Sequence, residues 1–153
     1  MPTVRAAVPA DLELLVAFNA AMALETEGKR LDPARLRAGV QAALADPQRG
    51  RYLVAEHDGR AAGALLLTRE WSDWRNGWFW WIQSVYVAPE ARRAGLYRAL
   101  HGEALRQAAE AGAVGVRLYV DRGNSGAQRT YERLGMQPSH YVFYESALAE
   151  KPR

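Results

Sequence analysis

The stretch WFWWIQSVYVAPEARRAGLYRALHGEALRQAAEAG, residues 78–112, constrains the fold more than any other part of the chain. Its first ten residues are dominated by aromatic and β-branched side chains, which favour a strand. Pro89 and Gly95 bracket a turn, and the leucine and alanine spacing that follows belongs to a helix reaching about Gly112. A further apolar run, VGVRLYV at 114–120, comes next. A strand, a helix and a second strand in that order form a crossover between parallel or splayed strands. At its corner stand two arginines, a glycine that lets backbone come close, and the unpaired N–H groups of a helix start. Those three features together make an anion site.

The rest of the chain supplies the other elements of one mixed sheet. TVRAAV at 3–8 reads as a short strand, and Pro9 with Asp11 opens a helix through LELLVAFNAAMALE. A second helix fits PARLRAGVQAALAD, with Pro33 in its first turn and Pro47 past its end. RYLVAEHDGRAAGALLLTREW is two strands joined at Asp58-Gly59, and the loop SDWRNG leads into the aromatic strand. A helix from near Asn124 to Leu134 closes at Gly135, and SHYVFYESAL at 139–148 reads as a last strand. This is an α/β chain with a single mixed sheet flanked by helices, expected to form one domain over residues 1–153. It lacks the alternating βαβ order of a dinucleotide-binding fold.

Several function classes are disfavoured at this level. The chain has no cysteine and three scattered histidines, so neither a disulfide scaffold nor a metal site is expected. No signal-peptide pattern opens it and no apolar run approaches a bilayer span, so a cytoplasmic location without membrane partners is expected. The net charge of +3 is too small to argue for nucleic acid, and the basic stretch has no set of stacking aromatics beside it. The charge is nonetheless uneven. Eight arginines face four acids between Arg92 and Arg133, whereas nine basic and ten acidic residues lie between Asp11 and Arg75. Neither G-x-x-x-x-G-K-[ST] nor G-x-G-x-x-G after a strand is present.

VYVAPEARRAGLYRALHGEAL resembles the acetyl-CoA signature of the GNAT superfamily of N-acetyltransferases, in which [QR]-x-x-G-x-[GA] follows a strand and opens a helix. Arg92, Gly95 and Tyr97 take the three marked positions, Tyr97 standing where Gly or Ala is usual. NSGAQRTYERLGM carries a second resemblance: Asn124, Ala127, Tyr131, Gly135 and Met136 keep the spacing common in that superfamily. The implied fold is the GNAT sheet, and the implied activity is acetyl transfer from acetyl-CoA to an amine without a metal. The implied partner is a small-molecule amine, and a homodimer is compatible with the reading. The rival reading is a non-catalytic acyl-CoA-binding sensor of the same fold.

Under that resemblance, Arg92, Arg93, Ala94, Gly95, Leu96 and Tyr97 cradle the pyrophosphate. Val85, Tyr86 and Val87, where the strand is expected to splay, pair with the pantetheine arm. Asn124 caps its helix and reaches the cofactor. Tyr131 is the general acid that protonates the leaving thiolate, against a plain packing role. Glu25 leads the candidates for general base, followed by Glu27, Asp73 and Glu70, with His140 a further option. The tryptophan-rich loop with Trp71, Asp73 and Trp74 is expected to wall the acceptor together with Glu27 and Gln83. Strict two-residue alternation sets Trp78, Trp80, Ile82, Ser84 and Tyr86 on one face of their strand, and Phe79, Trp81, Gln83, Val85 and Val87 on the other.

Overall fold

A computed structural model describes residues 1–148. The strands are β1 (Thr3–Ala6), β2 (Arg51–His57), β3 (Arg60–Ser72), β4 (Gly77–Val87) and β5 (Gly115–Arg117); the helices are α1 (Leu12–Glu27), α2 (Pro33–Ala45), α3 (Leu96–Glu110) and α4 (Ser125–Arg133). One sheet runs β1-β2-β3-β4-β5, antiparallel throughout except for the parallel pair β4·β5. The chain divides into two compact units, Met1–Tyr119 with the whole sheet and α1 to α3, and the residues from Val120 on, with α4.

Local chemistry accounts for most boundaries. Asp58 and Gly59, at φ 53° and 75°, form the tight turn between β2 and β3, a conformation that short polar residues and glycine adopt readily. Asp32 caps α2 by accepting from the Ala34 N–H at 3.2 Å, ahead of Pro33. Leu96, Leu100, Ala104 and Ala108 recur every fourth residue of α3 and are buried against Leu53, Leu65, Leu67, Trp80 and Ile82. The other sheet face buries Tyr52, Val54 and Ala64 under Leu15 of α1 and Val40 of α2.

Strict alternation fails in the middle of β4. Leu66 pairs with Ser84 and Leu67 with Ile82, which leaves Gln83 as an extra residue opposite no partner. This β-bulge exchanges the faces of everything after it. Val85 and Val87 therefore join Trp80 and Ile82 on the α3 side. Ser84 and Tyr86 turn to the α1 side, where the Tyr86 ring lies 5.4 Å from Phe18. Two further expectations are corrected. β5 spans only Gly115–Arg117 of the apolar run 114–120, and residues 139–148 form no strand. A strand needs a ladder partner, and no ladder reaches past Arg117 among the described residues.

Asp11 is a charged anchor of the first unit, 7% exposed. It accepts from Arg5 Nη1 at 2.8 Å, from Arg5 Nη2 at 3.0 Å and from the Val8 N–H at 2.7 Å. The Arg5 guanidinium holds the Asp11 carboxyl below the usual carboxylate range. Asp11→Ala is expected to cost about 2 kcal/mol, since Arg5 and the Val8 N–H lose this acceptor while Arg5 keeps Glu56 at 3.2 Å and can partly rehydrate. A depressed carboxyl stabilises the fold above its unfolded value of 3.8 and ceases to do so as pH falls below it. Urea titrations should show the gap between parent and Asp11→Ala constant near pH 7 and closing below about pH 4; a gap independent of pH would refute the ionic account.

Candidate functional site

The turn between β4 and α3 is a backbone cradle at the start of a helix. Arg93 and Gly95 both occupy the left-handed region, at φ 70° and 83°, with Ala94 between them. Alternation of that kind turns successive backbone N–H groups toward one side. A long side chain at positive φ is uncommon, and such conformations cluster where backbone geometry is used. Gly95 is also the N-cap of α3, and no side chain caps that helix. The first backbone donor satisfied within α3 is the Ala99 N–H, on Gly95 O at 3.0 Å, so the N–H groups before it point out from the helix start. A Cβ built on Gly95 meets nothing within 4 Å, and Arg92, Arg93 and Gly95 are all exposed. Leu96, 1% exposed, anchors the cradle to the core.

Arg92 is already oriented. Its Nε donates to Val87 O at 3.0 Å and its Nη2 to Glu25 Oε1 at 2.9 Å. Glu25, in the last turn of α1, also accepts from the Tyr86 hydroxyl, and the Arg92 guanidinium lies 5.5 Å from the Tyr86 ring centre. The Tyr86 hydroxyl and then Arg92 hold the Glu25 carboxyl below the usual carboxylate range. Burial, reinforced by Glu25, pushes the Tyr86 hydroxyl up, so it remains a donor at neutral pH. Tyr97, the bulky residue after the cradle, turns along α3, its ring 6.4 Å from that of buried His101 in a stacked arrangement.

β4 and β5 pair only over Phe79–Trp81. From Ile82 to Val87 the edge of β4 on that side carries no ladder among the described residues, and Val87 O accepts from Arg92 Nε. On the α1 face the same stretch borders a cleft lined by Phe18, Asn19, Met22, Ser84 and Tyr86. Phe18, Asn19 and Met22 of α1 were not anticipated. Phe18, Met22 and Glu25 are spaced i, i+4, i+7, a signal that on its own reads as a core stripe.

The remaining candidates are dispersed. Gln83 donates to Thr68 Oγ1 at 2.8 Å, and Glu70 accepts from Trp81 Nε1 and Arg117 Nη1, both at 3.0 Å. Glu27 lies 3.8 Å from Lys29 at the surface. Trp71 packs edge-on against Trp78 at 5.0 Å, Trp74 is 87% exposed, and Asp73 accepts from the Trp74 N–H at 2.9 Å. Trp71 and Ser72 pair with Trp78 and Gly77, whereas Gly63 pairs with Val87. The hairpin tip is thus at the far end of β4, about 30 Å along the sheet from Val87, and the structure does not bring Trp71, Asp73 and Trp74 to Glu25 and Arg92. In the second unit Asn124 caps α4, its Oδ1 accepting from the Ala127 N–H at 3.1 Å, and Tyr131 is half-buried two turns on from Asn124.

The acetyltransferase (GNAT) family model matches residues 17–136. A solved structure of a possible acetyltransferase from Clostridium difficile 630 is 40% identical, with a TM-score of 0.91 over 98% of this chain and 99% of that one. A mycothiol acetyltransferase from Corynebacterium aurimucosum is 31% identical over 84% of this chain and 44% of its own length. An uncharacterised N-acetyltransferase from Mycobacterium tuberculosis is 36% identical over 61% of this chain and 56% of its own. The chain thus spans about half the length of these curated relatives. An aminoglycoside N-acetyltransferase solved with CoA shares the fold alone, at 16% identity and a TM-score of 0.79 over 97% of this chain and 96% of that one. With the family match running from α1 through the cradle to the end of α4, this chain belongs to the acetyltransferase (GNAT) family.

Proposed function

We propose that the protein transfers an acetyl group from acetyl-CoA to a primary amine of a small-molecule acceptor, directly, within a ternary complex. The observation that carries this reading is the exposed cradle of Arg93, Ala94 and Gly95 on the uncapped start of α3. The cradle and Arg92 take the pyrophosphate, and the open edge of β4 at Val85 to Val87 aligns the pantetheine amides. The free amine attacks the thioester carbonyl, the nitrogen gives up a proton to water, the C–S bond breaks as the tetrahedral intermediate collapses, and Tyr131 protonates the departing thiolate and recovers its proton from solvent. The acetyl group leaves as an amide, with CoA as the second product.

In this reading Glu25 takes a positioning part, in place of the base expected from the sequence. Its carboxylate accepts from Arg92 Nη2 and from the Tyr86 hydroxyl, beside the turn proposed for the pyrophosphate. It acts as a positioning residue for Arg92. Glu25→Gln should therefore keep kcat within about threefold of the parent while raising the Michaelis constant for acetyl-CoA. A large fall in kcat with a displaced pH profile would restore Glu25 as the base.

The test of the function itself is thiol release from acetyl-CoA across a panel of primary amines, with amine-dependent release expected. Gln83 at the bulge cannot take a proton from an amine, which favours a second reading, a non-catalytic acyl-CoA sensor. Tight calorimetric binding of acetyl-CoA with no release by any amine would select it.

A further inference from the structure

Arg51 and Arg69 of the first unit are held in place without a counter-ion. The Arg51 guanidinium lies 4.9 Å from the centre of the Trp80 ring, and that of Arg69 lies 4.6 Å from the centre of the Trp78 ring. An indole face attracts a cation but offers its N–H groups no oxygen. Among the described residues neither side chain has a carboxylate or hydrogen-bond partner. Arg5, Arg37, Arg92, Arg106 and Arg117 differ, since each of them meets a carboxylate.

The ladders bring the two arginines together. Arg51 stands opposite Leu67 and Arg69 opposite Trp80, so both lie on the α3 side of the sheet. They line one cleft with Gln48, Gly50, Leu67 and Trp80, and no carboxylate lines it. Trp80, 4% exposed, fixes its floor. A Cβ on Gly50 would stand 2.7 Å from Leu66 Cδ1 and 3.2 Å from Leu67 O, so a glycine lets the connection from α2 press against β3 and close the wall. The cleft belongs wholly to the first unit. Its floor at Trp80 is about 23 Å along β4 from Val87 and the cradle.

We propose that this cleft is an anion site separate from the cradle, taking a small ligand whose carboxylate or phosphate group sits between Arg51 and Arg69. Guanidinium forks match the paired oxygens of either group. Two cations on one cleft with no acid between them repel, and an anion relieves that repulsion. The tryptophan rings already order both side chains, so binding forfeits little rotamer freedom. The open space is about 240 Å³, below the range of pockets for drug-sized molecules, which limits the ligand to a small one.

All five tryptophans lie between Trp71 and Trp81, so their indole N–H resonances report on this region directly. The isotope-labelled protein would be titrated with sodium phosphate and, separately, with sodium succinate, against sodium chloride at equal ionic strength. The Trp78 and Trp80 signals should move saturably with at least one oxyanion and not with chloride, and the tighter of the two identifies the group preferred. The Trp81 signal, whose indole donates to Glu70, is the internal control and should stay in place. Arg51→Gln/Arg69→Gln should weaken the titration about tenfold or more. Gly95→Asp should leave it unchanged, which separates the cleft from the cradle. Should the glutamine variant fail to fold, Arg51→Lys/Arg69→Lys keeps both charges, removes the forks and should still weaken binding. No saturable shift with either oxyanion, an equal shift with chloride, or an unaltered titration in a folded double variant would each overturn the site.

Discussion

Gly95→Asp is expected to weaken acetyl-CoA binding at least 100-fold, about 2.7 kcal/mol, while leaving the fold intact. Two effects combine. At φ 83° the new side chain is strained, which for a non-glycine residue costs about 1–2 kcal/mol. Its carboxylate would also stand where the pyrophosphate approaches, and like charges about 4 Å apart repel by about 4 kcal/mol at an effective dielectric near 20. The variant should fold because a Cβ at Gly95 meets no atom within 4 Å. Gly95→Ala isolates the strain, and we expect a loss of about tenfold from it. Arg92→Ala should cost less than Gly95→Asp, because the backbone donors of the cradle survive it. Calorimetry with circular dichroism on the same samples reads all three variants. Unchanged affinity in a folded Gly95→Asp protein would remove the cradle from the donor site.

Tyr131→Phe is expected to lower kcat about 100-fold or more, in the range for loss of a general acid, with acetyl-CoA affinity unchanged. The substitution removes one hydroxyl and keeps the ring, which is half-buried on the stripe Ala127, Tyr131 and Leu134 of α4. Packing loss alone would lower stability and leave the chemical step alone. The two accounts therefore separate cleanly when kcat and thermal stability are read together. Full turnover in the phenylalanine variant would reduce Tyr131 to packing.

Much of the frame was legible from residues close in sequence. The Asp58-Gly59 turn, the Asp32-Pro33 start of α2 and the Asn124 cap each act through hydrogen bonds spanning a few residues, so a short window contains their whole cause. The cradle was legible for the same reason, as Arg92 to Gly95 and the start of α3 are contiguous. The β4 bulge was not. Gln83 is displaced because the ladder with Leu66 and Leu67 shifts there, and an alternating pattern carries no mark of where its partner slips.

Two features depended on residues far apart in the chain. Glu25 and Arg92 are 67 positions apart and meet only because α1 packs beside the end of β4. Residues 139–148 have the apolar sequence of a strand but join no ladder among the described residues, because strand formation needs a ladder and propensity alone cannot supply one. The sequence by itself determined the order of elements from β1 to α4, the caps and turns, and the Arg92–Gly95 corner, all short-range consequences of backbone sterics and hydrogen bonding. Only the tertiary structure decided which face each β4 residue presents, what Glu25 holds and where the sheet ends, because those outcomes are set by packing between segments that the chain itself keeps apart.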